Sequence, residues 1–222
     1  MSRIRESWRA AAIALALVAS VAAVTGSGSA ANAAPTSSVT HFLVDVSGSM
    51  SGTKMQLVKQ SLTVTGTQMP AGSTVGMRTF GVTSCDTALP VPIGPFDPVS
   101  FQNEVDRLAA RGSTPLAIGL QAAGDDLRNV NAQEKTLILL NDGDNNCAGD
   151  PCQVAADLVA SGVDLTVHAV GIQITPGSSA EQNLQCIAAA TGGTYVPLDD
   201  PQDLLDTLPD LVNNGLRYVA IG

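Results

Sequence analysis

The sequence predicts an α/β fold: a doubly wound, mostly parallel six-stranded sheet with helices on both faces and one antiparallel edge strand. Apolar runs of strand length alternate with segments of helical periodicity, the pattern that builds a parallel sheet. Two runs, "TLILL" (136–140) and "VDLTVHAVGI" (163–172), are apolar on both faces in their centres, as strands are when helices cover both sides. The dipeptide Asp-Pro also occurs three times, each time directly before a helical pattern.

The first half of the chain predicts three strands and a helix. Met55, Val58 and Leu62 follow the i, i+3, i+7 spacing of one helix face. The third strand contains Pro90 and Pro92, and proline cannot donate a ladder hydrogen bond, so this strand is expected at a sheet edge. The strands are predicted at 39–46, 74–80 and 88–93.

In the second half, start and stop signals bound the helices. Each Asp-Pro pair places a capping carboxylate before a proline, which fits the first helical position. Thr114-Pro115 opens another helix, and Gly192-Gly193 ends the one before the last strand. The predicted helices lie around 101–108, 116–127, 154–159, 184–188 and 204–211, and the strands at 136–140, 163–172 and 194–198.

The N-terminus has the pattern of a secretory signal peptide. A basic head is followed by an alanine-rich apolar run at 10–24 and by Ala31-Asn32-Ala33, so we expect cleavage after Ala33. A transmembrane helix is disfavoured because the run is short for a bilayer span. We assign 1–33 to the signal peptide, 34–38 to a linker, 39–214 to the folded domain and 215–222 to a C-terminal tail.

The exported chain is strongly acidic. The sequence has 11 Lys and Arg and 20 Asp and Glu. Removal of residues 1–33 leaves 8 basic and 19 acidic residues, a formal net charge of −11. This charge argues against nucleic acid and anionic membranes as partners and suits the binding of cations. No second apolar span follows the signal, so we expect a secreted product.

Five oxygen-bearing side chains lie in three predicted loops. Asp45, Ser47 and Ser49 follow the first strand, Asp142 follows "TLILLN", and Thr114 lies in "RGSTPL" before a helix. Ligands of open α/β sheets bind beyond the carboxyl ends of the strands. Hydroxyl and carboxylate oxygens suit Mg²⁺ or Mn²⁺. Simple helix capping is the alternative, but a cap requires one such residue rather than five.

The segment Asp45-Val46-Ser47-Gly48-Ser49 resembles the D-x-S-x-S motif of von Willebrand factor type A domains. Thr114 and Asp142 match the second and third motif positions of that family, and the resemblance extends over about 39–212. It implies a Rossmann-like fold with an intact metal-ion-dependent adhesion site (MIDAS).

The resemblance also implies a role for each site residue. Ser47 and Ser49 are expected to bind the ion directly, and Thr114 to bind it directly when a ligand is engaged. Asp45 and Asp142 are expected to act mostly through water molecules. The ligand of such a site typically supplies an acidic side chain to the sixth coordination position. Asp144, in the same loop as Asp142, is expected to be a loop acid rather than a ligand.

The four cysteines, Cys85, Cys147, Cys152 and Cys186, predict two disulfides in an exported chain. The segments around three of them, "NDGDNNCAGDPC" and "LQCIAAATGG", resemble a bacterial secreted branch of the family, the calcium-activated chloride-channel-like proteins. Right-handed crossovers place the helices after the fourth and fifth strands side by side. This topology favours Cys152–Cys186 and Cys85–Cys147, and Cys147–Cys152 remains the alternative.

These features predict a secreted binding or adhesion module that coordinates Mg²⁺ or Mn²⁺ and captures an acidic group of a protein or other ligand. The alternative is a metal-dependent hydrolase or a processing subunit of a larger assembly. We do not expect an enzyme, because His41 and His168 lie within predicted strands and no G-x-S-x-G elbow occurs in the exported chain. Lys54 and Lys59 are expected to coat a helix face.

Overall fold

The computed structural model describes residues 36–213, so the predicted signal peptide and C-terminal tail lie outside the described residues. Within this range the chain forms six strands and six α-helices. The strands are β1 (Thr36–Asp45), β2 (Thr74–Phe80), β3 (Thr87–Pro95), β4 (Ala132–Asn141), β5 (Thr166–Ile172) and β6 (Tyr195–Leu198). The helices are α1 (Thr53–Gln68), α2 (Pro98–Arg107), α3 (Leu116–Arg128), α4 (Pro151–Ala160), α5 (Ser179–Ala190) and α6 (Leu204–Asn213).

The strands form one sheet in the order β3-β2-β1-β4-β5-β6. All neighbouring strands are parallel except β2 and β3, which pair antiparallel. The predicted fold is therefore confirmed, including the position of the proline-containing strand at an edge. Between β1 and β4 the direction of winding reverses, and this is the place where open α/β sheets bind ligands.

Helices cover both faces of the sheet. One face packs against α1, α2 and α6 and the other against α3, α4 and α5. The central strand β4 serves both layers, with Ile138 and Leu140 in the first and Leu137 and Leu139 in the second, all fully buried. Burial of each such side chain contributes about 1.5–3 kcal/mol. No helix in residues 36–213 is long and apolar enough to cross a membrane.

Strand β1 begins at Thr36, three residues before the predicted start, and so includes residues 36–38 of the predicted linker. Thr36 pairs with Ala132 and Ser38 with Glu134 of β4. Backbone hydrogen bonds to β4, rather than apolar side chains, therefore set this end of the strand. An apolar pattern does not reveal polar residues that pair in this way.

The three Asp-Pro pairs begin helices, as predicted. The carboxylates of Asp97 and Asp150 each accept hydrogen bonds from the backbone N–H groups two and three positions further on. Asp200 caps a short 3₁₀ helix, Pro201–Asp203, that leads directly into α6. These caps fix the chain direction after β3, β6 and the loop that follows β4.

A partly buried ion-pair group lies under α3, on the face opposite α1. The Arg78 guanidinium donates to both carboxylate oxygens of Asp126, at 2.6 and 2.8 Å. The His41 ring nitrogen Nε2 lies 3.1 Å from Asp126 Oδ2, and His41 is fully buried. Burial opposes ionisation of Asp126, but Arg78 and His41 outweigh it and hold the pKa of the carboxyl below its usual value. This group joins β1, β2 and α3.

Candidate metal centre

The structure brings the five predicted site residues together at the carboxyl edge of the sheet. Asp45 is the last residue of β1, and Ser47 and Ser49 lie in the turn before α1. Thr114 precedes α3, and Asp142 directly follows β4. All of them therefore surround the point where the winding reverses.

A network of hydrogen bonds joins four of the five residues. The Ser47 backbone N–H donates to Asp45 Oδ1 at 2.7 Å. The Ser47 and Ser49 hydroxyl oxygens lie 3.0 Å apart, and the Ser49 hydroxyl donates to Asp142 Oδ1 at 2.7 Å. Two hydroxyls of the turn after β1 and the carboxylate of Asp142 after β4 are thus linked in a chain of hydrogen bonds.

Thr114 faces the same spot from a third loop. A Cβ atom built on Gly143 would lie 3.8 Å from Ser49 Oγ and 4.0 Å from Thr114 Oγ1, so both hydroxyls flank this glycine. Three of the site residues are buried: Thr114 is 4 % exposed, Ser47 1 % and Asp142 8 %. Ser49, in contrast, is exposed to solvent. The group is therefore open to solvent on the side of Ser49.

Backbone hydrogen bonds hold the turn after β1 against the loop before α3. The Arg111 N–H donates to the Val46 carbonyl at 2.7 Å, and the Gly48 N–H donates to the Gly112 carbonyl at 2.9 Å. Gly112 in turn donates to the Gly81 carbonyl, at the end of β2. A Cβ on Gly112 would lie 2.6 Å from the Gly81 oxygen, so only glycine permits this close backbone approach.

Asn146 positions Thr114 and was missed by the sequence analysis. Its side-chain oxygen accepts a hydrogen bond from the Thr114 N–H at 2.7 Å, and its own N–H donates to the Thr114 carbonyl at 3.1 Å. The next residue back, Asn145, accepts from the Ala117 N–H at 3.3 Å. The paired amides in "NDGDNN" were the available signal, because Asn side chains commonly satisfy loop backbone groups.

Lys54 was predicted to coat a helix face, and this was wrong. Its ammonium donates to Asp142 Oδ2 at 2.7 Å, from the first turn of α1. Lys59 keeps its predicted surface position and donates to the backbone carbonyl of Asp106 at 2.8 Å. The spacing of charges along α1 gave no indication of the contact to Asp142, which is 88 residues away in the sequence.

Asp144 points away from the five residues, as expected of a loop acid. It accepts hydrogen bonds from the Asn183 amide at 3.1 Å and from the Ser179 hydroxyl. Both partners belong to α5. Asp144 therefore fastens the loop after β4 to a neighbouring helix.

Two disulfides are present, as the even cysteine count predicts. Cys85–Cys147 joins the loop after β2 to the loop after β4, with Cα atoms 5.9 Å apart. Cys152–Cys186 joins α4 to α5, with Cα atoms 5.5 Å apart. These are the pairs that the topology favours, and the alternative Cys147–Cys152 bond is not formed. The first disulfide lies next to Asn146 and so adjoins the site.

The electrostatics of the group favour a bound cation. Burial raises the pKa of Asp45 to about 7, and the charge of Asp142 adds to this effect, while the Ser47 N–H and hydroxyl oppose it. Asp45 Oδ2 is buried and has no hydrogen-bond partner among the described residues. A cation, or a water molecule bound to it, would satisfy this oxygen and offset the repulsion between the two carboxylates.

The donor set fits a hard divalent ion. Three hydroxyls and two carboxylates offer oxygen atoms alone, which suits Mg²⁺ and Mn²⁺. Within residues 36–213, this site included, no cluster of three or more His, Cys, Asp or Glu side chains could hold a metal ion. The hydroxyl groups therefore distinguish this site from one that is made of carboxylates or imidazoles.

Comparison with known proteins gives relatives of the same fold. The uncharacterized protein YwmC of Bacillus subtilis (strain 168) is 29% identical over 179 residues, which span 73% of this chain and 77% of that protein. A von Willebrand factor type A structure from Catenulispora acidiphila superposes with a TM-score of 0.67 and 24% identity. It covers 79% of this chain, and this chain spans 42% of that one.

A third relative is the proximal thread matrix protein 1 from the mussel byssus, solved with a zinc-occupied MIDAS motif. It superposes with a TM-score of 0.64 and 19% identity, over 82% of this chain and 46% of its own. The family model of the von Willebrand factor type A domain matches residues 41–212, which include all of the candidate site. The chain therefore belongs to the von Willebrand factor type A domain family.

Proposed function

We propose that this protein is a binding module that holds Mg²⁺ or Mn²⁺ at Asp45, Ser47, Ser49, Thr114 and Asp142 and captures an acidic group of a protein ligand through the ion. One observation carries the proposal. Hydroxyls and a carboxylate from two loops hydrogen-bond to one another at the sheet edge where the winding reverses, and the Thr114 hydroxyl of a third loop flanks the same Gly143 as Ser49. Helix capping does not explain that arrangement, because Ser47 makes no side-chain capping bond to the 3₁₀ turn that follows it, and the N-cap position of α1 is Gly52, which has no side chain.

Each residue has a role that follows from its chemistry. The hydroxyl oxygens of Ser47, Ser49 and Thr114 bind the ion directly, and Asp45 and Asp142 hold its water molecules. Neutral direct ligands leave the ion with most of its positive charge. Such an ion attracts a carboxylate, and the exposed side at Ser49 is where an acidic side chain of a partner can approach.

The chemistry of the donors favours Mg²⁺ or Mn²⁺ over zinc as the resident ion. Zinc occupies the MIDAS motif of the mussel byssus protein, so the motif accepts a softer ion in at least one relative. Zinc sites in proteins, however, are usually built from Cys and His, and hydroxyl oxygens suit harder ions. We therefore expect Mn²⁺, which shares the oxygen preference of Mg²⁺, to be the more convenient probe.

The proposed place of action is outside the cell. The predicted signal peptide would export the chain, and both disulfides suit an oxidising compartment. The resemblance of the cysteine segments to a secreted bacterial branch of the family supports the same location. An exported adhesion module meets partners with exposed Asp or Glu side chains on proteins at the cell surface.

A binding role is favoured over hydrolysis by the surroundings of the hydroxyl groups. His41 is buried beside Asp126, and the His168 ring nitrogen Nδ1 accepts a hydrogen bond from the Thr194 N–H. Neither ring hydrogen-bonds to Ser47, Ser49 or Thr114 within residues 36–213. The serines at the site therefore have no histidine base beside them in this part of the chain.

The proposal predicts that Asp45→Ala weakens Mn²⁺ binding by about 10- to 100-fold, as loss of a residue that orients metal-bound groups does. Titration calorimetry with Mn²⁺ and Mg²⁺ measures the effect. Asp144→Ala is the matched control. It removes an acid from the same loop as Asp142, but the carboxylate of Asp144 contacts α5 and not the five site residues. Equal affinity of wild type and Asp45→Ala would contradict the proposed site.

Capture of an acidic ligand has a separate test. The wild type, immobilised and exposed to proteins from the medium and surface of the cells that export it, should retain partners with Mg²⁺ and release them with a chelator. At a Mg²⁺ concentration that saturates only the wild type, Asp45→Ala should retain far less of these partners. Retention that is insensitive to both the chelator and the substitution would show that binding does not pass through the ion.

A further inference from the structure

Lys54 is the basic side chain that contacts the site within residues 36–213. Its ammonium donates to Asp142 Oδ2 at 2.7 Å, while the Ser49 hydroxyl donates to the other oxygen of the same carboxylate. The side chain of Asp142 is fully buried, whereas that of Lys54 is 22 % exposed. A positive charge thus already neutralises this carboxylate, and the ammonium has access to solvent.

The position of Lys54 along α1 is unfavourable for a cation. It is the second residue of the helix, and the first turn contains no acidic residue. The helix dipole is positive at this end, so it repels a lysine there. The ion pair with Asp142 compensates for that repulsion. A charge held against local preference is the pattern expected of a functional group rather than of a surface coat.

We infer that Lys54 is an internal cation that competes with the divalent ion for Asp142. This inference rests on the proposed function. With no divalent ion bound, the ammonium neutralises Asp142 and keeps the site formed. When an ion binds, the ammonium moves away toward solvent, because two cations beside one carboxylate repel each other. Binding is then an exchange of cations, and Lys54 lowers the affinity of the site for the ion.

The same exchange favours ligand capture. When the ion is bound, the two carboxylates of Asp45 and Asp142 balance its two positive charges. The nearby ammonium of Lys54 then leaves one excess positive charge around the site. A carboxylate from a partner is attracted by that excess. Lys54 therefore weakens retention of the ion and strengthens the attraction for an acidic ligand.

The test is Lys54→Met, which keeps the length of the apolar stem and removes the charge. We expect Mn²⁺ to bind roughly tenfold more tightly, because the repulsion between ammonium and ion is gone. In chelator, the variant should unfold at a lower temperature than the wild type, since the buried carboxylate of Asp142 has lost the cation that contacts it. Titration calorimetry gives the affinity, and thermal unfolding with chelator or Mn²⁺ gives the stability.

Three further variants make the result specific. Lys59→Met removes one positive charge from the same helix. Because Lys59 donates to the Asp106 carbonyl and not to the site, this variant should bind Mn²⁺ with the affinity of the wild type. Lys54→Arg keeps the charge and should bind Mn²⁺ like the wild type. Lys54→Gln removes the charge and retains a donor for Asp142, so it gives the affinity measurement if Lys54→Met does not fold.

The outcomes separate this inference from the proposed function. Tighter binding by Lys54→Met and Lys54→Gln, with lower stability in chelator, supports the exchange of cations. If the wild type binds Mn²⁺ and both variants bind it equally or more weakly, the inference is wrong and the proposed function stands. Absence of Mn²⁺ binding by the wild type would overturn both.

Discussion

At the scale of single residues, the motif identified the side chains that meet at the sheet edge but not those that position them. Asp45, Ser47 and Ser49 lie close together in the sequence, and Thr114 and Asp142 occupy recognisable loops. The partners of these residues are distant: Asn146 is 32 residues from Thr114. Such a contact depends on how the loops fold over one another, and no periodicity in the sequence encodes it.

Asn146→Ala should destabilise the protein by about 1–3 kcal/mol, because the buried Thr114 N–H loses its acceptor. Mn²⁺ affinity should fall as well, since Thr114 is no longer fixed. Urea denaturation and titration calorimetry measure the two effects. The control is Asn183→Ala, which removes an amide that binds Asp144 and leaves Thr114 untouched. Similar results for both variants would contradict the role of Asn146.

At the scale of elements, local chemistry predicted where helices begin and failed where only pairing defines a strand. Asp97 and Asp150 cap helices because a carboxylate satisfies free N–H groups, and this depends on adjacent residues alone. The start of β1 depends on β4, almost a hundred residues away. The conformation of a loop likewise depends on distant residues that it contacts. In the loop after β4, one of these contacts is the disulfide Cys85–Cys147.

The two disulfides should differ in their effect on the site. Replacement of Cys85 and Cys147 by Ser should lower the stability by about 4 kcal/mol, given the 62-residue separation, and should weaken Mn²⁺ binding. Replacement of Cys152 and Cys186, 34 residues apart, should cost a similar free energy of about 4 kcal/mol with unchanged Mn²⁺ affinity. Urea denaturation and calorimetry give both quantities.

The distinction follows from position. Cys147 adjoins Asn146 in the loop that holds Thr114, whereas the other disulfide joins two helices. Equal losses of Mn²⁺ affinity in the two double variants would mean that general loosening of the domain, rather than the loop at the site, controls ion binding.

At the scale of the whole molecule, alternation of apolar strands and periodic helices was sufficient to predict a mostly parallel sheet with helices on both faces. The pattern could not predict the buried charges within it. His41 has an apolar neighbourhood in the sequence, yet it lies beside Asp126, 85 residues further on. Polar groups of this kind satisfy one another only after the layers have packed, so their pairing is a property of the assembled fold.

Asp126→Asn should lower the stability by about 3 kcal/mol at pH 7. The Arg78 guanidinium and the His41 ring would then lack the carboxylate that they both contact. The pKa of Asp126 is lower in the folded protein than its usual value. Its stabilisation is therefore present above the pKa of the unfolded chain and is lost as the pH falls through the folded pKa. Urea denaturation between pH 7 and pH 2 measures this change.

The neighbouring Asp125→Asn provides the control. Asp125 is 54 % exposed in its side chain and pairs with Arg128 on the surface of the same helix. Its replacement should change the stability by less than about 1 kcal/mol at any pH. If the difference between wild type and Asp126→Asn persisted unchanged at pH 2, ionisation of Asp126 would not be its cause.

The prolines of the outer strands have a consequence for the protein at high concentration. An uncovered edge strand presents unpaired N–H groups that can hydrogen-bond to a strand of another chain, and such pairing leads to aggregation. At one edge of the sheet, Pro90 and Pro92 of β3 have no N–H group to donate. At the other edge, β6 is only four residues long and contains Pro197, so it offers little backbone for pairing. Copies at high concentration would thus be kept from pairing through the backbones of their outer strands.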